Sequence, residues 1–476
     1  IDYRHFENNF NDYSLQLLLP QKQSTQSRAI AVGDVNNDGL QDLFLGNGFG
    51  KPGVIFLQNN NGKFSKLSNP IFQKHAKYED QNAVFFDADG DKDLDLLVTS
   101  GGYELKENSP LLQDRIYFNN GNGLFSAGKF PKILSSTNTI SVADIDGDHA
   151  LDVFIGGRVV PGKYPLAPNS FLLQNNKGVF TDITDTYSKG LRNFGLINQS
   201  IFSDFDNDGD QDLILAAEWQ SITFFENNLD HFKKRKLPEL DKNKGWYQSI
   251  KALDYDEDGD LDYFVGNLGF NNKFHATPKK PLHIYADYFD KNASFDIILS
   301  KTLNGNLVPI RGKQCSTEQT PYLGKKIATY NQFANATLDQ IYGKEKLEKA
   351  YHLYANTFAS VLLENQGNKS FKEIKLPNNC QLGPTLDFLI HRNKKKQLVD
   401  IMGVGNIYEA EVETIRYDAS KGFILNVENK KLKNESTSFF PTNKNTKAIK
   451  QIEIQGVPHF ILFNNNDCLS VFKYQE

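Results

Sequence analysis

The sequence predicts an all-β chain, a β-propeller of four-stranded antiparallel blades, seven in number with eight as the alternative. Three observations predict it. An acidic nine-residue pattern recurs five times. Short β-rich apolar runs flank every copy. A second pair of apolar runs, joined by an Asn/Gly turn, follows in stretches such as VIFLQNNNGKF, RIYFNNGNGLF and SFLLQNNKGVF.

The pattern is Asp-x-Asp/Asn-x-Asp-x-x-x-Asp. Its copies start at Asp34, Asp87, Asp144, Asp204 and Asp254, with separations of 53, 57, 60 and 50 residues. A period of that length is the mark of a repeat architecture. Before each copy stands AIAV, AVFF, ISVA, SIFS or SIKAL, and after it LFLGN, LLVTS, VFIGG, LILAA or YFVGN. Runs this short, bounded by Gly and Asn, read as strands. The NG, NNG and KG pairs are hairpin turns. One unit is therefore four antiparallel strands in about 50 residues, which is a propeller blade.

Later units are worn. His283 to Asp296 keeps Asp290, Asn292 and Asp296, but Tyr288 takes the first ligand position. Phe388 to Asn406 keeps Asp400, while Arg392, Lys394 and Lys396 stand where ligands would be and exclude a cation. Ser360 to Phe371 reads as the outer two strands of a blade, and Ile449 to Tyr474 as three more strands. Residues 1–476 form one propeller domain on this reading, and residues 1–10 complete the last blade with 447–476. Residues 324–354 have helical composition and read as an insertion within a late blade. Leu338, Ile341, Tyr342 and Leu347 would pack that insertion onto the propeller.

Composition narrows the function. Apolar residues are 39% of the 476, enough for a sizeable core, and charged residues are 23%. No run of about 18 apolar residues exists to span a membrane as a helix. The formal charge of −5 carries no basic bias, against a nucleic-acid partner. Cys315, Cys380 and Cys468 lie far apart, so there is neither a disulfide framework nor a CxxC motif. The chain starts at Ile1, which reads as a trimmed segment of an exported protein whose signal has been removed.

The aspartates point to cations. Ca2+ takes six to eight oxygen ligands. Side chains at positions 1, 3, 5 and 9 of a tight loop can converge on one. The expected ligands are Asp34, Asn36, Asp38 and Asp42; Asp87, Asp89, Asp91 and Asp95; Asp144, Asp146, Asp148 and Asp152; Asp204, Asp206, Asp208 and Asp212; and Asp254, Asp256, Asp258 and Asp262. The five loops hold 22 Asp, a density that is strongly unfavourable without a counter-ion. An EF-hand is excluded: position 12 is Leu45, Leu215 or Val265 where a Glu is needed, and the flanks are strands. About five structural Ca2+ ions are expected.

These strand–DxDxDG loop–strand units resemble the FG-GAP/VCBS repeat proteins, the group that includes the integrin α-subunit propeller. The resemblance covers roughly Ala29 to Gly422. Stretches such as GGRVVPGKYPL, AAEWQSITFFEN, GWYQSI, GNLGFNNKF and ANTFASVLLENQG look like the C-terminal propeller of large VCBS-repeat proteins of Bacteroidetes-type bacteria. The resemblance implies Ca2+ at the five loops, seven blades by family default, and an extracellular, cell-surface or periplasmic-side location.

Blade topology places the acidic loops and the Asn/Gly hairpins on one face. The opposite face collects Arg158, Tyr164, Glu218, Trp219, Trp246, Tyr247, Asn267 and His275. Aromatics with a few polar groups suit a glycan or a peptide. Against that stands plain packing of both tryptophans between blades, and pairing of Arg158 with a nearby acid. The leading expectation is a calcium-stabilised surface module that binds a glycan or protein partner without catalysis. A polysaccharide lyase or glycoside hydrolase working on that opposite face is one alternative. A structural scaffold domain of a larger surface protein is another.

Overall fold

In a computed structural model of the chain, the residues described are 1–290, 292–367, 369–393, 398–433 and 442–474. Lys394 and Lys396 of the worn loop lie outside them. The described residues form a β-propeller assembled from eight antiparallel sheets.

Seven sheets follow one another along the chain. The first is Ile30–Gly33, Asp42–Leu45, Val54–Gln58 and Phe64–Leu67, paired in that order. The second begins at Asp80–Phe86 and Asp95–Ser100, the third at Ser136–Ala143 and Asp152–Val159, and the fourth at Leu196–Ser203 and Asp212–Gln220. The fifth joins Ser249–Leu253 and Asp262–Gly266 to Val361–Asn365 and Phe371–Lys375. The sixth begins at Asp387–Asn393, and the seventh is Thr446–Ile454, Val457–Asn464 and Ser470–Lys473. Every acidic loop joins the first two strands of its sheet in the same register. The residue before the loop pairs with its last Asp: Gly33 with Asp42, Phe86 with Asp95, Ala143 with Asp152, Ser203 with Asp212 and Leu253 with Asp262.

Neighbouring sheets bury their faces against each other. Phe224 of the fourth sheet stacks on Phe371 of the fifth at 4.8 Å and meets Tyr263 edge-on at 5.6 Å. Such aromatic pairs contribute about 0.5–1.5 kcal/mol each beyond their buried area. The first and last sheets touch too. Ile30, Leu43 and Phe56 share a core with Ala448, Ile452 and Ile461. Gln58 donates its amide to Glu453 O at 3.1 Å, and Glu453 N–H donates to Gln41 Oε1 at 2.8 Å.

Residues 1–10 do not supply a fourth strand to the last sheet. They make a single bridge, Arg4 with Cys468, and His5 N–H donates to Asp467 O at 3.0 Å. The segment runs across the loop after Val457–Asn464 instead of along Ser470–Lys473, so no ladder can extend.

The eighth sheet interrupts the fifth. The chain leaves after Gly266 and returns at Val361. Between them it forms a sheet in the order Asn306–Pro309, Asp296–Leu303, Leu282–Asp287, Tyr351–Ala355. The stretch read as a worn blade, His283 to Asp296, belongs to this inserted sheet. Five short helices follow Asn306–Pro309: Lys313–Gln319, Tyr322–Lys326, Tyr330–Ala334, Leu338–Tyr342 and Lys344–Lys349. They stay short because the sequence restarts them. Thr329 with Gln332 and Thr337 with Gln340 form two capping boxes, and Gly343 breaks the run at φ 96°. Helix thus begins earlier than residue 324 and ends in a strand before 354.

Strand alternation gives the inserted sheet two buried faces. Ile298 faces the helices, where Leu338, Ile341, Tyr342 and Leu347 pack with Phe289. Those four residues bind the helices to the inserted sheet, not directly to the propeller as expected. Ile284, Ala286, Ile297 and Leu299 face the other way and join the propeller core around Trp219 and Trp246. An insertion of this length is tolerated because loop closure grows costlier only slowly with length. Among the described residues, no helix is long and apolar enough to cross a membrane.

Candidate metal centres

The acidic loops are built from their own hydrogen bonds. The first Asp accepts two main-chain N–H bonds from within its loop: Asp204 takes Asp208 N–H at 3.1 Å and Gly209 N–H at 3.0 Å. Asp87 does the same with Gly90 and Lys92, at 2.8 and 3.1 Å. The fifth-position Asp38, Asp91, Asp148, Asp208 and Asp258 each accept the N–H two residues on, at 2.8–3.1 Å. Gly39, Gly209 and Gly259 have φ between +83° and +101°, a conformation that favours glycine.

The ninth-position Asp has two jobs. It is buried in every loop. One oxygen accepts the N–H of the second loop residue: Val35, Ala88, Ile145, Phe205 or Tyr255, at 2.9–3.2 Å. The other accepts a main-chain N–H from the end of the third strand: Gln58, Asn119, Asn175, Asn227 or Asn365, at 2.7–2.9 Å. This carboxylate pins three strands together. Burial pushes Asp42 and Asp152 up to about 6 and Asp95, Asp212 and Asp262 up to about 7.

Positions 1, 3 and 9 come together. Asp87, Asp89 and Asp95 place one carboxylate oxygen each within 4.8 Å of one another, as do Asp144, Asp146 and Asp152; Asp204, Asp206 and Asp212; and Asp254, Asp256 and Asp262. In the first loop Asn36 takes position 3, between Asp34 and Asp42, and its amide donates to Asp38 Oδ2 at 3.1 Å. The fifth-position carboxylates lie outside the converging groups. The donor set fits a hard cation: it is all oxygen, and the buried Asp206 Oδ1 and Asp256 Oδ1 have no hydrogen-bond donor among the described residues. The hairpin of the next sheet covers each loop. Lys369 reaches from the fifth sheet to Asp206 Oδ2 and to Glu226 Oε1, both at 2.5 Å.

The opposite face follows the packing alternative and is not an open aromatic mouth. Arg158, Tyr164, Glu218, Trp219, Trp246, Tyr247 and Asn267 are all buried. Arg158 Nη2 pairs with Glu218 Oε1 at 2.8 Å, and Tyr164 OH donates to Glu218 Oε2 at 2.9 Å. Trp219 Nε1–H donates to Tyr164 OH at 2.7 Å, and its ring meets Trp246 edge-on at 5.0 Å. Asn267 Oδ1 accepts Trp246 N–H at 3.1 Å. The cover is the inserted sheet and the N-terminal segment, whose Leu18 and Leu19 share this core. Gln16 locks it, donating to Tyr164 O at 2.8 Å and Phe295 O at 2.9 Å. His275 alone of the eight is exposed. It lines a cleft of about 450 Å³ with Phe270, Asn272, Thr357, Phe358 and Lys375.

Sequence reasoning missed the asparagine clamps. The side-chain amides of Asn119, Asn175, Asn227 and Asn365 reach the preceding sheet, donating to the carbonyls of Val35, Ala88, Ile145 and Phe205 at 2.8–3.0 Å. The signal was present: these Asn stand at the same place in each hairpin run.

The FG-GAP-like repeat pattern matches residues 34–98 and 204–265. No curated protein sequence matches the chain. Among solved structures, the chain is similar to the Vibrio cholerae biofilm matrix protein Bap1, at 10% identity and a TM-score of 0.39, over 99% of this chain and 90% of that one. YCF48 bound to D1 peptide is similar at 8% identity and a TM-score of 0.40, over the whole of both chains. BBS1N in complex with ARL6DN is similar at 8% identity and a TM-score of 0.44, over 96% of this chain and 94% of that one.

Proposed function

Because the chain carries FG-GAP-like repeats, we propose that it is a calcium-stabilised, seven-bladed binding module of an exported surface protein, engaging a glycan or a protein partner. One observation carries the reading: four successive sheets present the same convergent carboxylate triad in the same register. Equal, repeated sites filled by protein oxygens suit structural ions rather than one catalytic ion. The seventh sheet lies against the first, which supports seven blades with the inserted sheet outside the count. Affinities of about 10⁻⁴–10⁻³ M would suit an extracellular setting.

The place for a partner is the exposed cleft around His275 and Phe270. Its mixture of aromatic and amide groups suits a sugar or a peptide. The buried Arg158, Tyr164 and Tyr247 carry no lyase or hydrolase chemistry there.

Two measurements test this. Chelation of the purified protein lowers the melting temperature; an unchanged melting temperature together with no bound metal ends the calcium assignment. A polysaccharide panel in Ca2+ buffer, read for retention and for released ends, tests the module. Retention lost in His275→Ala supports the cleft. Released unsaturated or reducing ends would make the protein an enzyme.

A further inference from the structure

Three separate segments wall the cleft around His275. The loop that leaves the fifth sheet after Gly266 brings Phe270, Asn272, His275 and Pro278. The stretch before Gly245 brings Asn243, and the outer strand Phe371–Lys375 brings Glu373 and Lys375. The amides of this wall are already used. Asn272 Oδ1 accepts Phe274 N–H at 2.9 Å and His275 N–H at 3.2 Å, and its Nδ2–H donates to Gly269 O at 2.7 Å. Asn356 Oδ1 accepts Lys244 N–H at 2.8 Å, and its Nδ2–H donates to Lys242 O at 2.8 Å. Asn243 Nδ2–H donates to Glu373 Oε2 at 2.7 Å, which engages the single acid of the wall.

What stays available is a ring and a set of cations. Phe270 is 44% exposed. Lys375 stands in the wall, Lys279 and Lys280 follow Pro278 in an exposed turn, and Lys242 and Lys244 flank Asn243. Lys273 is neutralised by Glu411 at 2.9 Å, and Lys244 lies over the Tyr354 ring at 4.5 Å. Lys242, Lys279, Lys280 and Lys375 are exposed and make no ion pair among the described residues. On a chain of net charge −5 this is a local basic patch. It attracts anions to the one cleft that also offers an open aromatic ring.

We propose that the cleft takes an anionic glycan, a chain of uronate or sulfated sugars. A sugar ring packs on Phe270, and its carboxylate or sulfate groups pair with Lys279, Lys280 and Lys375. This rests on the cleft being the binding place and names the class of sugar it takes. A neutral sugar would meet amides already bonded within the fold and leave the cations unused. An acidic peptide would meet the cations without needing the ring.

The test measures binding of hyaluronate, dextran sulfate, neutral dextran and poly-glutamate to the full chain in Ca2+ buffer. Wild type is compared with Phe270→Ala and with Lys279→Gln/Lys375→Gln, all substitutions of exposed side chains. The expected result is binding of hyaluronate, dextran sulfate or both, weakened by salt. It is roughly tenfold weaker in the lysine variant and also weaker in Phe270→Ala. Which of the two polymers binds tells a carboxylate from a sulfate. Neutral dextran bound as tightly, and lost in Phe270→Ala, keeps the cleft and overturns the anionic class. Poly-glutamate bound through the lysines, with no loss of any ligand in Phe270→Ala, overturns the glycan in favour of an acidic protein. No glycan binding, or binding that neither variant changes, overturns the cleft and the glycan together.

Discussion

Asn175 donates its side-chain amide to the main-chain carbonyl of Ala88 at 2.8 Å, tying the third sheet to the acidic loop of the second. The same amide donates to Leu151 O at 3.1 Å, and its main-chain N–H donates to Asp152 Oδ1 at 2.7 Å. One residue therefore joins its own loop, its own hairpin and the neighbouring sheet.

Removing that amide strands two carbonyls away from water. Asn175→Ala is expected to lower stability by about 2 kcal/mol, from the cost of leaving buried polar groups unpaired. Urea unfolding in saturating Ca2+ measures it. A loss no larger than that of an exposed Asn→Ala control would mean the clamp contributes nothing.

Lys369 would compete with a cation bound at the fourth loop. Its ammonium is 2.5 Å from Asp206 Oδ2, and the Asp206 side chain is fully buried. Lys369→Met is expected to raise Ca2+ affinity at one site, by roughly tenfold, by removing like charge from beside the ion. Calorimetric titration against wild type reads the change. Weaker binding would show that Lys369 positions the loop.

The Arg158–Glu218 pair sits inside the core, with each partner no more than 3% exposed. Glu218→Gln leaves the guanidinium buried without its counter-charge and removes the anion facing Tyr164. The expected loss is about 3 kcal/mol, and Arg158→Met/Glu218→Leu is expected to lose less than Glu218→Gln alone. Denaturant midpoints of the two variants decide, and the reverse order would contradict the analysis.

His5 sets part of the acid limit. Burial lowers its pKa from an ordinary 6.5 to about 3 in the folded chain. Unfolding lets it take up a proton, so its contribution to stability is full above about pH 6.5. That contribution falls as pH drops toward 3, by about 3 kcal/mol near pH 4.5. His5→Gln should flatten the stability profile between pH 6.5 and 4.5. A profile as steep as wild type would place the acid sensitivity elsewhere.

Much of this protein is legible in its sequence because it is local. The acidic loops span nine residues each, their first Asp bonds its own loop, and their last Asp pairs at a fixed register. Strand alternation and Asn/Gly turns set the hairpins in the same way. Tertiary structure alone decided what is open and what is closed. In the sequence Trp219 and Trp246 fit a ligand platform as well as packing between blades, because their cover, Leu18, Leu19 and the inserted strands around Ile284 and Ile297, lies far away in the chain. Short spacings dictate a loop's geometry through bond lengths and turns, whereas burial depends on which distant segment folds over a surface, and no local pattern encodes that.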